Sequence, residues 1–206
     1  GIMQVKRLIV YGKLNVETDG YLYIIGHLML SDQYNSGFMT LDGVLYLENG
    51  LANKLFGADR ISYGRTGSVV CNGTFENEDQ LRSACAVATE ADSHWTYYLD
   101  NRGVRITLTE DLLIPANCVI NGSGTVFGSE DEVALTLAGV IVAESYFAVS
   151  YNMTILPSGG MFIGDDAFFE RKLVNLGLME IAYGIDDYYG WIDFNDPNLY
   201  SDTSPY

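Results

Sequence analysis

The N-terminal part of the chain alternates between apolar and polar positions in short segments, and a glycine opens each segment. The repeated unit is glycine, any residue, leucine or methionine, any residue, and an aliphatic residue. It occurs at positions 12–16, 20–24, 26–30, 37–41 and 43–47. Its two apolar residues lie two positions apart, so in a strand they point to the same side. The pattern predicts short strands with one buried face and one solvated face, each entered through a turn.

Tyrosines occupy several of the solvated positions in these segments. Tyr21, Tyr23 and Tyr46 each lie beside a predicted buried leucine or isoleucine, and the whole chain holds 15 tyrosines. The alternation predicts that these three rings face outward. A solvated tyrosine face of this kind is typical of a surface that binds a glycan or a protein.

Glycines also recur at a fixed interval of 17 residues. Five pairs show this same interval: Gly20 and Gly37, Gly26 and Gly43, Gly50 and Gly67, Gly122 and Gly139, Gly160 and Gly177. Such a repeat favours a solenoid, and we expect parallel rungs of about 17 to 21 residues. The residues predicted to share its interior are Leu14, Leu22, Leu28, Met39 and Leu45. Antiparallel hairpins with tight glycine turns are the alternative.

One amphipathic helix is predicted over positions 77–88. Asn77 is a capping residue with Gln80 three positions on, which is the arrangement of a capping box. Small and apolar residues follow at helical spacing: Leu81, Ala84, Cys85 and Ala88. A stripe of such small residues suits a helix that lies flat over the open end of a β-coil.

Strand-like segments resume after the helix, and three stretches carry a family resemblance. They lie at positions 78–84, 104–117 and 121–125. Together they resemble the opening of a pectate-lyase-like right-handed β-helix, as found in large secreted or surface proteins of Gram-positive bacteria. The resemblance covers residue 75 to about residue 165. It implies an all-β parallel β-solenoid whose first rungs are capped by the helix, and an extracellular or cell-surface location.

Three segments follow from these patterns. We expect a Gly-x-Leu solenoid block over positions 1–74 and a helix-capped β-helix block over positions 75–184. An aromatic and acidic cap or tail is expected over positions 185–206. Fixed repeats and a helix at the junction of two blocks are the basis for these boundaries.

The charge balance restricts the partners. The chain has 27 acidic and 11 basic residues, a net charge of -16. Such a charge repels the phosphate backbone of nucleic acids and anionic membrane surfaces, so no nucleic-acid partner is expected. The longest nearly apolar run, positions 133–143, falls well short of the roughly 18 residues that span a bilayer. We therefore expect no membrane insertion.

Cysteine and histidine usage argues against a metal centre. Cys71, Cys85 and Cys118 form no CxxC pair and have apolar neighbours, which predicts buried thiols, with one disulfide pair plus one thiol as the alternative. His27 and His94 are the two histidines of the chain, so a zinc site is not expected. No cofactor is predicted.

One acidic pair is relevant to an enzymatic function, because many polysaccharide lyases and hydrolases have a β-helix fold. Asp165 and Asp166 resemble the paired aspartates of polygalacturonase-like hydrolases, which act as acid and base across a glycosidic bond. The His-Gly and Arg-x-Lys segments that accompany such pairs are missing here, so a solvated turn is favoured. We predict a non-catalytic extracellular scaffold or adhesive segment that binds a polysaccharide or a host or plant surface polymer. A polysaccharide lyase or glycoside hydrolase is the alternative.

The C-terminal stretch is the sequence's candidate ligand site. Positions 183–194 combine several aromatic rings with three aspartates. Flat rings stack on sugar faces while carboxylates accept hydrogen bonds from hydroxyls. The candidate binding residues are Tyr188, Tyr189, Trp191, Asp187 and Asp193. The alternative is that these rings cap the last coil and pack inward.

Overall fold

The computed structural model describes residues 1–33, 35–48, 55–128, 132–182, 184–187 and 192–194. Across this part of the chain, the fold is an all-β parallel solenoid of about eight turns with a single short α-helix. The chain divides into two compact units. Unit 1 comprises residues 1–74 and 90–98, and unit 2 comprises residues 75–89 and 99–206.

Unit 1 is built from two parallel sheets. Its strands are β1 (Ile2–Ile9), β2 (Lys13–Val16), β3 (Tyr21–Met29), β4 (Ser31–Asp32), β5 (Asn35–Ser36), β6 (Phe38–Leu41), β7 (Val44–Leu47), β8 (Leu55–Phe56), β9 (Ile61–Tyr63) and β10 (Ser68–Thr74). A 3₁₀-helix covers Ala58–Arg60, and β11 (Trp95–Asp100) begins in this unit. Strands β1, β3, β7 and β10 pair in parallel in that order, and so do β2, β6 and β9. The short β4 and β5 pair antiparallel.

The predicted interior of unit 1 is present. Leu22, Leu28, Met39 and Leu45 are buried, as the Gly-x-Leu pattern predicts. Leu14, from the strand β2 at the start of the coil, is only half-buried. The alternation of buried and outward residues along β3 and β7 therefore follows the sequence pattern closely.

The predicted rung length holds for the first step of unit 1, from Ile2 to Tyr21, but not for the next two steps. Tyr21 pairs with Val44 and Val44 with Ser68, and both of these steps are longer than the predicted range. Turns of variable length separate the strands, so the fixed glycine interval in the sequence does not measure the rung. The glycines that meet on successive turns are Gly20 and Gly43, where the Val44 amide donates to the Gly20 carbonyl at 2.9 Å.

Gly43 has no room for a side chain, and this gives a testable prediction. A Cβ atom at Gly43 would overlap the carbonyl oxygens of Gly20 and Glu17 in the turn below. Gly43→Ala should therefore lower the free energy of unfolding by about 2 kcal/mol, measured by denaturant titration. Gly12→Ala is the matched control, because nothing lies within 4 Å of a Cβ at that position. Equal stability of the two variants would contradict the stacking of turns at Gly43.

Unit 2 is a coil with three parallel sheets. Its elements are α1 (Glu78–Glu90), whose last residue belongs to unit 1, and β12 (Arg105–Thr107), β13 (Leu112–Ile114), β14 (Cys118–Asn121), β15 (Val126–Gly128), β16 (Ala134–Leu137), β17 (Val140–Ala143), β18 (Phe147–Val149), β19 (Asn152–Ile155), β20 (Gly160–Ile163), β21 (Asp166–Phe169), β22 (Leu173–Asn175), β23 (Leu178–Ile181), β24 (Gly184–Asp187) and β25 (Ile192–Phe194). The sheets run β14-β17-β20-β23, β12-β15-β18-β21-β24 and β13-β16-β19-β22-β25. Val140 pairs with Gly160 and Gly160 with Leu178, so these two rungs lie within the predicted range, whereas the step from Leu112 to Leu135 exceeds it.

The helix begins with a variant of the predicted capping box, in which Gln80 accepts from the residue before the cap. The Gln80 amide donates to Oδ1 of Asn77 at 3.0 Å, and the Glu76 amide donates to Oε1 of Gln80 at 2.9 Å. The predicted apolar stripe is buried: Leu81, Ala84, Cys85 and Ala88. Among the residues described, no helix has both the length and the apolar character that a membrane crossing requires.

Polar contacts attach α1 to the first turn of unit 2. The Arg82 guanidinium donates to the backbone carbonyls of Asp111, at 2.9 Å, and Glu110. The Glu78 carboxylate accepts hydrogen bonds from the amide and the hydroxyl of Thr109, both at 3.0 Å. The helix therefore covers the start of the unit 2 coil, as predicted for a capping helix.

Glu78 makes the helix attachment dependent on pH. Burial disfavours its charge, but the Thr109 amide, the Arg82 side chain and the Thr109 hydroxyl together lower its pKa. A lowered pKa means that the stabilisation is present above the ordinary glutamate pKa of about 4.3, and is lost as the pH falls through the lowered value. Glu78→Gln should cost about 2 kcal/mol at pH 7 and flatten the fall in stability below about pH 4.5, measured by urea titrations across pH.

Glu90→Gln is the control for this experiment. Glu90 lies exposed at the other end of α1, so its substitution should change the unfolding free energy by no more than about 0.5 kcal/mol. A Glu78→Gln protein with wild-type stability at pH 7 would show that the Thr109 contacts do not hold the helix.

Candidate functional site

The outward side of unit 1 carries an uncharged aromatic surface. Four strands, β1, β3, β7 and β10, contribute two rows of register partners to it. The rows are Gln4, Tyr23, Tyr46 and Val70, and Ile2, Tyr21, Val44 and Ser68. None of these eight residues is charged. We call this surface the tyrosine face.

The tyrosine face is outward because its strand neighbours fill the core. Leu22, Ile24, Leu45 and Leu47 alternate with the tyrosines along β3 and β7 and are buried. Tyr21 is 53% exposed, so its ring lies open to solvent. The outward orientation that the sequence predicts for the tyrosines is confirmed.

Two of the rings stack on each other. Tyr23 and Tyr46 are register partners on adjacent strands, with ring centroids 4.5 Å apart and planes within 8°. This spacing matches the strand separation of about 4.8 Å, so the parallel backbone sets the ring spacing. The pair forms a rigid aromatic edge, because each ring restricts the rotation of the other.

Glu48 lies at the end of the tyrosine face. Its amide donates to the Ile24 carbonyl at 2.9 Å, which continues the β3–β7 pairing. Burial, the Glu48 charge and the neighbouring Tyr46 each raise the pKa of Tyr23, and a hydrogen bond to the Glu48 side chain raises it further. Tyr23 is therefore a protonated phenol at neutral pH whose hydroxyl hydrogen is directed to Glu48, so its oxygen can accept hydrogen bonds from a ligand.

A cavity opens beside Tyr21. It has a volume of about 520 Å³, and its lining includes Leu14, Glu17, Asp19 and Tyr21. Two of these side chains are carboxylates, so the rim repels anionic ligands. The lining also includes Met3 and Leu22, which lie on the opposite side of the strands from Ile2 and Tyr21.

A second aromatic group in unit 1 contains an acid–imidazole pair. The Asp92 carboxylate lies 2.6 Å from Nδ1 of His94, and the His94 ring stacks on Tyr63 at 4.3 Å. The Trp95 indole donates to the Tyr63 hydroxyl at 2.7 Å. Tyr63 is the register partner of the buried Leu41. The Asp92 and His94 side chains are 52% and 37% exposed, so this pair lies at the surface, while Trp95 is buried.

The acidic residues of the described part of the chain bear on the enzyme alternative. No group of three His, Cys, Asp or Glu residues there could hold a metal ion. Asp165 lies in the bend before β21, and Asp166 is the exposed first residue of that strand. Asp165 therefore lies in the turn that the sequence favoured, and Asp166 begins the strand that follows it.

The predicted C-terminal site is only partly within the described residues. Asp187 is in β24 as the partner of Phe169, and Asp193 is in β25 as the partner of Val174. These strands belong to two different sheets of the last turn. Tyr188, Tyr189 and Trp191 lie outside the described residues. Ligand binding by this stretch therefore stays a prediction.

The contact of Tyr63 with His94 was not predictable from the sequence. Asp92 and His94 are near neighbours in the chain, but Tyr63 lies far earlier, before the helix. The turn of the solenoid brings them together, and only a correct register would reveal the contact. The stacking of Tyr23 on Tyr46 depends on the register in the same way.

Comparison with known proteins gives no match, since no protein-family model, no curated protein and no solved structure matches this chain. The likeness to pectate-lyase-like β-helices holds at the level of the parallel solenoid architecture.

Proposed function

We propose that this chain is a non-catalytic scaffold segment of an extracellular bacterial protein, and that it binds a neutral polysaccharide through the tyrosine face. The observation that carries the proposal is the stacked pair of Tyr23 and Tyr46 beside the open ring of Tyr21. Aromatic rings pack against the apolar faces of sugar rings, and phenol hydroxyls match sugar hydroxyls as hydrogen-bond partners.

The shape of the tyrosine face supports a polymer as the ligand. Four strands about 4.8 Å apart form a strip about 14 Å long. The strip is an open sheet surface, unlike the enclosed pockets that take small molecules. An extended glycan laid across the strands would contact Tyr23 and Tyr46 along one row, with Tyr21 beside it in the other row.

Charge supports a neutral glycan. The rows of the tyrosine face hold no charged residue, and Glu17 and Asp19 border the adjacent cavity. The whole chain has a net charge of -16. Pectic and other acidic polymers would be repelled at low ionic strength, so we expect little binding to them.

The extracellular location rests on the resemblance of residues 75 to about 165 to the β-helices of large Gram-positive surface proteins. Such proteins meet polysaccharides of hosts, plants or neighbouring cells, and a rigid solenoid suits a spacer that presents a binding strip. The alternative, a polysaccharide lyase or hydrolase, needs a pair of carboxylates or a base beside a bound metal.

A sedimentation assay with product analysis separates the two functions. The protein is incubated with insoluble cellulose, β-glucan and mannan and with polygalacturonate, and the supernatants are analysed for reducing ends and unsaturated sugars. We expect retention on at least one neutral polymer and no binding to polygalacturonate. We expect no release of reducing ends or unsaturated sugars from any polymer. Product that accumulates with time would establish the enzyme alternative. Absence of retention on every neutral polymer would refute the proposed function.

A further inference from the structure

Two thiols meet where the capping helix contacts the unit 2 coil. Cys85 lies on the buried side of α1 and is 4% exposed, and Cys118 opens β14 and is fully buried. The two thiols influence each other: Cys118 lowers the pKa of Cys85, and Cys85 raises the pKa of Cys118. The adjacent Asn117 amide donates to the Ala88 carbonyl at 2.9 Å, so the start of β14 is held against the helical turn that follows Cys85.

We propose that Cys85 and Cys118 form a disulfide when the protein meets a disulfide oxidant, and that this bond locks α1 onto the first turn of unit 2. Cys71 is buried in β10 of unit 1 and remains a thiol. The proposal rests on the helix–coil contact alone and is independent of polysaccharide binding. The bond would persist in the oxidising environment of an extracellular protein.

The reaction is a thiol–disulfide exchange in two steps. The Cys85 sulfur, as a thiolate, attacks one sulfur of oxidised glutathione and releases one glutathione thiolate. The Cys118 sulfur then loses its proton, attacks the Cys85 sulfur of the mixed disulfide, and releases the second glutathione. Two protein thiols lose two protons and two electrons, and one glutathione disulfide is reduced to two thiols.

The slight exposure of Cys85 and the nearby Arg82 charge favour it as the attacking thiol. The neighbouring Cys118 thiol lowers the pKa of Cys85, and the positive charge of Arg82 lowers it further. The Cys85 thiol, together with burial, raises the pKa of Cys118. Cys85 is also the thiol with a small exposed area, so a brief opening of α1 suffices to admit the oxidant.

Peptide mapping tests the pairing directly. The reduced protein is incubated with oxidised glutathione at pH 8, alkylated in denaturant and digested with trypsin. We expect peptides 83–102 and 106–171 to be joined, with a mass lower by two hydrogens than their sum, while peptide 66–82, which holds Cys71, is alkylated. Full alkylation of all three cysteines, or a linkage to peptide 66–82, would overturn the proposal.

Thermal unfolding then tests the locking of the helix. The disulfide closes the loop between residues 85 and 118, so it should raise the midpoint temperature of unit 2 unfolding by about 10 °C. Reduction with dithiothreitol should reverse this gain. Cys71→Ala should keep the gain, and Cys85→Ala, which places a good helix former in α1, should abolish it. An oxidised wild-type protein with an unchanged midpoint would show that the bond does not hold the helix.

Discussion

Phe127→Ala is expected to lower the free energy of unfolding of unit 2 by about 4 kcal/mol. Phe127 is fully buried in β15, and its ring lies 5.8 Å from Phe147 and 6.5 Å from Tyr151. Its removal leaves a cavity that neighbouring rings cannot fill, because parallel strands above and below fix their positions. Denaturant unfolding followed by circular dichroism measures the loss.

Leu113→Ala is the control for Phe127→Ala. Leu113 lies on β13 of the same unit, and its side chain is 48% exposed on the outer face. Its substitution should cost less than about 1 kcal/mol. If Phe127→Ala were equally mild, the aromatic interior of the unit 2 coil would not be the source of its stability.

The largest effect on binding is expected from the double variant Tyr21→Ala, Tyr46→Ala. It removes the open ring and one ring of the stacked pair, so affinity for the neutral polysaccharide should fall by about 30-fold or more. Retention on the polymer that binds the wild type, measured as a depletion isotherm, gives the affinity. Thermal unfolding of the double variant, measured in parallel, shows that the solenoid is intact.

Tyr11→Ala provides the matched control for the tyrosine face. Tyr11 belongs to unit 1 and is 74% exposed, but it is in neither row of the face. Its removal should leave the isotherm unchanged within about twofold. Equal losses for the control and the double variant would show that binding depends on general surface tyrosines.

Alternation along the chain predicted the strand faces well. Leu22, Tyr23 and Ile24 alternate between core and solvent as the Gly-x-Leu segments require, because a strand places successive side chains on opposite sides whatever its partner is. The capping box at Asn77 was predictable for the same reason, since it depends on contacts within one turn of chain.

Contacts between turns were not predictable, because their positions depend on loop lengths. The glycine interval did not predict the strand pairing of unit 1. The steps from Tyr21 to Val44 and from Val44 to Ser68 are both longer than that interval. Cys85 and Cys118 show the same limit, as the sequence left both buried thiols and a disulfide open. Packing of a helix on a strand decides which thiols meet, and alternation carries no information about it.

The most direct test of polysaccharide binding by the tyrosine face is a titration of protein with ¹³C-labelled tyrosine rings, followed by NMR. A soluble oligosaccharide of the polymer that retains the protein is the ligand. Saturable shifts are predicted for the ring signals of Tyr21, Tyr23 and Tyr46, with no change for the buried Tyr97 and Tyr151. Shifts confined to other tyrosines, such as Tyr188 or Tyr189, or no shift at saturating ligand, would contradict the assignment of the tyrosine face as the binding site.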